Sequence, residues 1–191
     1  MMQVLICVLA SAVYATLRYN VFKGVPWSWW PVYVVNKALA LGALAALVWM
    51  LLRTAADRRN RADMSSWILA CMGMHVMISL AIMNSTYYPK YYVSAAAAKP
   101  AFTLLAGFSW LGGAIAGGWM FLRLRRCEAG TAETDLPMGL IALLVGTHAA
   151  LLGVKGWFEP WTWPGYMPPI TLLSFLLGVS AAVIAAAHRR R

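Results

Sequence analysis

The sequence predicts an all-α integral membrane protein, a bundle of six transmembrane helices with both termini on the cytoplasmic side. Three observations lead there. Of the 191 residues 62% are hydrophobic and 12% charged, about half the charged share of a soluble domain, and the mean hydropathy is +0.67. Six apolar stretches each approach the roughly 20 residues needed to cross a hydrocarbon core about 30 Å thick. The basic residues crowd into alternate connections, as the positive-inside rule describes. The whole chain, 1–191, reads as one domain with helices near 2–20, 32–52, 65–84, 101–122, 137–157 and 168–187.

The first segment resembles a signal peptide in part, with Ala10-Ser11-Ala12 as a small-residue site. It has no basic leader, however, and its apolar character continues towards Arg18, so it is read as a span. Pro31, Pro100 and Pro168-Pro169 mark the starts of the second, fourth and sixth segments, where a missing N–H costs nothing. Asp63, Ser65 and Ser66 are candidate caps for the third segment, and Asp135 for the fifth. In the fourth, Gly113 and Gly117 form a GxxxG flanked by Gly112 and Gly118, a face for close helix packing.

Orientation follows from charge. Arg53, Arg58, Arg59 and Arg61, then Arg123, Arg125 and Arg126, then Arg189 to Arg191 make ten basic residues on one side. Arg18, Lys23, Lys90, Lys99 and Lys155 make five on the other. The richer side is cytoplasmic, in a plasma or bacterial inner membrane. The outer side carries the aromatic belt: Trp27, Trp29, Trp30, Tyr33, Tyr87, Tyr88, Tyr91, Tyr92, Trp161, Trp163 and Tyr166. The net charge of +10 is thus split among short loops facing anionic lipid, which argues against a nucleic-acid partner. Cys7, Cys71 and Cys127 form neither a disulfide framework nor a CxxC motif. No GxGxxG or P-loop is present.

Two histidines stand out. His148 lies in the middle of an apolar run of Leu, Ala, Val and Gly, and His75 lies deep in the third segment. An ionisable group in hydrocarbon needs a partner and marks a functional site. His75 is ten residues above Ser65 and His148 eleven above Pro137, so both sit about 15 Å up segments running in the same direction. Two imidazoles at equal depth on parallel helices suit the axial ligation of one buried b-type haem. Gly146 and Gly153 bracket His148, and are read either as room for a flat macrocycle or as close helix packing. Lys155 and Lys37 are candidate partners for the haem propionates, with snorkelling to the headgroups as the alternative. Cys71, Met72, Met74 and Met77 offer sulfur but suit packing better. His188, beside the terminal arginines, reads as interfacial.

These residues also resemble a known family. Gly146-Thr-His148-Ala-Ala-Leu-Leu-Gly-Val-Lys155-Gly-Trp157, followed by Tyr166-Met-Pro168-Pro169, is similar to the fifth helix and sixth-helix start of the STEAP metalloreductase transmembrane domain. His75-Val-Met-Ile-Ser79-Leu80 is similar to its third helix, and Val35-Asn36-Lys37-Ala38-Leu39-Ala40 to its second. The likeness covers about 35–187, with His75 and His148 at the positions of the two haem ligands. It implies electron flow from a cytoplasmic nicotinamide through flavin to haem, and on to Fe(III) or Cu(II) outside. The chain departs from that family in having no N-terminal nicotinamide-binding domain, and its 123–135 loop lacks the family's Trp-Arg-Glu-type stretch near the flavin. FAD therefore stays an open second cofactor, and self-sufficient reductase activity does not follow.

The expectation is one haem b on His75 and His148, carrying electrons from a cytoplasmic flavin or reductase partner to an outer acceptor. A metal chelate, a quinone and a redox protein are equal candidates for that acceptor, and a homo-oligomer is compatible. Two other readings stand beside it: a haem-bearing membrane anchor of a larger redox complex, and a haem-free structural or assembly subunit.

Overall fold

The structure is a computed structural model that describes residues 1–53, 58–94, 96–97, 99, 111, 115, 117–118, 122 and 135–189. Among these residues the regular secondary structure is helical, with no strand. Helix α1 (Met2–Thr16) runs on into a π-helical turn, Leu17–Phe22. After Gly24 (φ 71°), a 3₁₀ turn (Trp27–Trp29) and a second π-helical turn (Trp30–Val34) lead into α2 (Val35–Leu52). Then come α3 (Arg58–Ile82), α4 (Asp135–Gly153) and α5 (Ile170–Arg189). The fourth sequence segment, 101–122, falls mostly outside the described residues, as do Pro100, Gly112, Gly113, Arg123, Arg125, Arg126, Cys127, Arg190 and Arg191. Leu111, Ile115, Gly117, Gly118 and Leu122 within it are helical.

Four helical stretches are long and apolar enough to cross a membrane: Met2–Phe22, Trp27–Leu52, Arg61–Ile82 and Pro164–His188. They make the chain an integral membrane protein by length and composition. In α4 the apolar stretch is shorter, Met138–Leu151. Helix α2 is the centre of the bundle. It packs against α1, α3 and α5, and 67% of its apolar window is buried, against 17% for the window in α3.

Three boundaries differ from the sequence expectation. The α3 helix starts at Arg58, so Asp63, Ser65 and Ser66 lie inside it rather than capping it. Arg, Ala and Met are good helix formers, and a helix can project beyond the apolar layer when its added turns are polar. Ser65 then turns its hydroxyl to Met50 Sδ (3.5 Å), and Ser66 bonds back to Ala62 O (3.2 Å). Arg18, read as a loop residue, is buried in the π-turn after α1, where its Nη1 donates to Met167 O at 2.7 Å. Finally α4 stops at Gly153, and Val154–Phe158 tightens into a 3₁₀ turn.

The core has two layers. At the arginine-rich end Val4 and Cys7 of α1, Leu47 and Leu51 of α2, Met64 and Ile68 of α3, Met138, Ile141 and Ala142 of α4 and Ala181 of α5 form one cluster. At the aromatic end Ala15, Tyr19, Tyr33, Val34, Leu41, Ile82 and Ile170 form the other, to which α4 contributes none of its described residues. Among the described residues, then, α3 and α4 share a core cluster at the arginine-rich end only.

The most intimate contact is α4 with α5. A Cβ at Gly139 would meet Ala185 Cβ at 2.6 Å, one at Gly146 would meet Ser174 O at 2.9 Å, and one at Gly153 would strike the Thr171 hydroxyl. Facing them, a Cβ at Gly178 would meet Ala142 O at 2.6 Å. The three α4 glycines recur every seven residues, which keeps them on one stripe of the helix. Their absent side chains let the two backbones touch. Of the two sequence readings of Gly146 and Gly153, close helix packing is the one observed.

Candidate functional site

The site is built around His75 on α3. Its Nδ1 lies 2.8 Å from Asn36 Oδ1 and 3.1 Å from the Asn36 backbone carbonyl, both on α2. Ser79, one turn above His75, completes the set: its Oγ accepts from Asn36 Nδ2 at 2.9 Å and lies 3.3 Å from Asn36 Oδ1. Asn36 is 3% exposed, and a buried amide in an apolar helix must find such partners. The carbonyl decides the tautomer. A backbone oxygen only accepts, so Nδ1 carries the proton and donates it, whichever way the Asn36 amide is turned. Nε2 is left with its lone pair, the state in which imidazole ligates a metal.

His148 stands on α4, two residues beyond Gly146 and so about 200° around the helix from it. Because the glycine stripe is pressed to α5, His148 faces away from α5. It is half-buried, and it lies near enough to His75 for the two rings to interact electrostatically. Heights also match within the shared core. Met64 and Met138 belong to one cluster, with His75 eleven residues beyond the first and His148 ten beyond the second. At 1.5 Å per residue both rings are about 15 Å above that layer. Gly73, one turn-half before His75, looks into open space.

The two lysines have different surroundings. The Lys37 ammonium lies 3.5 Å from the Tyr33 ring centroid, with Tyr19 at 5.1 Å and Tyr88 at 5.3 Å, and it donates to Tyr88 Oη at 3.3 Å. This is a cation held by ring faces. It adjoins Asn36 in sequence and is close enough to His75 to act on it electrostatically. Lys155 is exposed in the 3₁₀ turn after α4, so the helical register that would stack it above His148 ends two residues before it. Of the nearby sulfurs, Cys71 and Met72 pack against the core cluster, whereas Met74 and Met77 are exposed.

Above the site is an aromatic cap. Tyr33 meets Tyr19 edge-on at 5.6 Å and stacks with Tyr87 at 6.4 Å, and Trp29 lies 4.9 Å from Tyr87. Burial, with the neighbouring Tyr19 and Tyr91 phenols, pushes the Tyr88 hydroxyl pKa well above its usual value. Elsewhere at this end Trp157 Nε1 donates to Thr171 Oγ1 and Trp163 Nε1 to Gly156 O.

Sequence reasoning singled out His75 and His148 but gave Asn36 and Ser79 no role. The available signal was a lone amide in the apolar run of the second segment, and a hydroxyl four residues from the histidine. Among the described residues no group of three or more His, Cys, Asp or Glu gathers as a metal cage. The donor set offered is a pair of imidazoles with one tautomer fixed, which suits a macrocycle that brings its own four equatorial nitrogens. No family model matches the chain, and neither a curated protein nor a solved structure does.

Proposed function

We infer that this chain is a six-helix b-type cytochrome with both termini in the cytoplasm, moving electrons from a cytoplasmic-side donor to an acceptor outside, in the manner of a ferric or cupric reductase. His75 and His148 would hold the iron. The observation that carries this reading is the hydrogen bond from His75 Nδ1–H to Asn36, because it leaves Nε2 unprotonated on a ring close enough to His148 for the two to interact electrostatically. The STEAP-like residue pattern around both histidines supports it.

Haem held by His75 and His148 would supply a one-electron Fe(III)/Fe(II) couple. The chain's own residues do the rest. Asn36 and Ser79 hold His75 in one tautomer and one orientation. Met72 and Leu69 pack against the core beneath it, and the tyrosine cap with Lys37 covers the aromatic end, where a cation favours a propionate. The arginine-rich end suits docking of a reduced flavin or a reductase partner, with FAD as a second cofactor only if this end binds it.

The test is spectroscopic. Protein purified in detergent should show a Soret band and, on reduction, a sharp α-band, both lost in His75→Ala and in His148→Ala. A competing reading takes the same hydrogen bond as sufficient in itself, with His75 merely tying α3 to α2 in a haem-free assembly subunit. A colourless protein, purified from haem-replete cells, decides for that alternative.

A further inference from the structure

Among the described residues Arg18 is the only buried cation. It is 7% exposed in the π-helical turn Leu17–Phe22, where its Nη1 donates to Met167 O at 2.7 Å and its guanidinium carbon stands 5.6 Å from the Tyr19 ring centroid. A guanidinium offers five N–H donors. The Nε–H of Arg18 is buried and meets no acceptor among the described residues. Arginine is almost never buried unless paired, and a charge left so in a low-dielectric setting is costly.

Two lysines share the same ring. Lys23 Nζ lies 5.5 Å and Lys37 Nζ 5.1 Å from the Tyr19 centroid. Three cations thus gather around one ring, graded from buried Arg18 through half-buried Lys37 to exposed Lys23. Like charges held this close repel unless an anion joins them. The chain supplies too few of its own. Residues 1–56 contain no Asp or Glu, and Glu159 is the single acid that the sequence places at this end. One carboxylate cannot offset three cations.

Depth points to the source of the anion. Arg18 is the seventeenth residue of the 21-residue span Met2–Phe22, and Lys23 follows the last. The trio therefore stands where hydrocarbon gives way to headgroups, among the tryptophans and tyrosines that favour that level. A phospholipid carries its phosphate there, whereas a free anion has to leave water. We propose that Arg18, Lys23 and Lys37 around Tyr19 form a site for the phosphate of an anionic phospholipid, with Lys23 at its mouth and the Arg18 Nε–H as its deepest donor. Asn20 Oδ1, the other buried side-chain atom without a partner among the described residues, belongs to the same π-turn and suits a headgroup hydroxyl. Binding does not depend on the haem reading. Lys37 alone is shared with it, so the test turns on Arg18 and Lys23.

The probe is phosphatidylglycerol with a fluorescent acyl chain, titrated onto the purified full chain in neutral detergent micelles. Saturable binding is expected, displaced by unlabelled phosphatidylglycerol, about tenfold less well by zwitterionic phosphatidylcholine, and not by inorganic phosphate at the same concentration. Lys23→Gln should weaken it about fivefold, the worth of one basic side chain at a membrane surface, and Arg18→Gln should weaken it more. Lys155→Gln, at an exposed position of the same end outside the trio, and His148→Ala should bind as wild type, which separates the site from general surface charge and from any haem. Equal displacement by phosphatidylcholine overturns the proposal, as does equal displacement by inorganic phosphate, which would make this a site for soluble anions. So does wild-type affinity in Lys23→Gln, or an equal loss in Lys155→Gln or His148→Ala. Should Arg18→Gln fail to fold, Lys23→Gln decides alone, since its exposed side chain leaves the core untouched.

Discussion

The Lys37 ammonium sits 3.5 Å from the centre of the Tyr33 ring, and Tyr33 in turn is 7% exposed. A basic residue near the end of a spanning helix is thus kept by aromatic faces instead of reaching out to water. The ring, not the hydroxyl, provides the attraction. Tyr33→Phe should therefore be close to wild type in thermal stability, while Tyr33→Leu should cost about 2 kcal/mol from the lost cation–π contact and ring packing. Parallel melts of the two variants in one detergent check this, and equal losses would assign the effect to the hydroxyl.

Asn36 gives the most direct handle on the histidine. Asn36→Ala removes the side-chain acceptor but keeps the backbone carbonyl, so His75 stays the same tautomer in a looser ring position. Under the cytochrome reading, haem retention should fall by about 10- to 100-fold, the usual effect of losing a partner behind a ligating imidazole. Haem transfer to apomyoglobin measures it. Ser79→Ala, which removes a bond to Asn36 and a longer approach of 3.5 Å to His75 Nδ1, should have a smaller effect in the same assay.

The glycine stripe predicts a sharp contrast within one residue type. Gly178→Leu must push against the Ala142 carbonyl and should destabilise by about 1–3 kcal/mol or more, as overpacking does. Gly73→Ala meets no atom within 4 Å and should be neutral to stabilising by up to about 1 kcal/mol through helix propensity. Denaturation of both variants in mixed micelles, followed by circular dichroism, would show whether the order holds.

Tyr88 adds a pH dependence. Its pKa is raised above the ordinary 10.0 by burial and by the phenols of Tyr19 and Tyr91. The neutral form is thus favoured in the folded protein, and below about pH 10 both folded and unfolded chains carry the proton, so stability there is full. Above pH 10 the unfolded chain ionises first, and stability falls as pH rises towards the folded pKa. Tyr88→Phe should flatten that alkaline slope in melts between pH 9 and 11.5 while leaving the neutral-pH value little changed.

Particular residues mark what the chain's letters disclose. His75 and His148 were legible because charge-bearing groups are expensive in hydrocarbon, and helix rise alone brings them to one height. The apolar runs were legible for the same reason. The start of α3 was not, since a helix that leaves the apolar layer loses the hydropathy signal while keeping its backbone pattern through Arg58 to Asp63. The facing direction of Gly146 stayed open in the sequence because small residues serve both a packed helix and a bound ring; only the position of α5 distinguishes them. Arg18 looked like a loop charge, yet its donor group reaches the carbonyl of Met167, 149 positions away in the chain, which no local rule anticipates.

The bare-backbone seam between α4 and α5 has a consequence for how the molecule holds together. Those two helices pack backbone against backbone as one hairpin carrying His148, while His75 is tied to α2 through Asn36. Among the described residues the hairpin joins the other helices through the core cluster at the arginine-rich end and through the packing of α2 on α5. Anything gripped by both imidazoles acts as a clasp across that join, so its removal should be felt first as hinge-like loosening of the hairpin and only later as loss of helix.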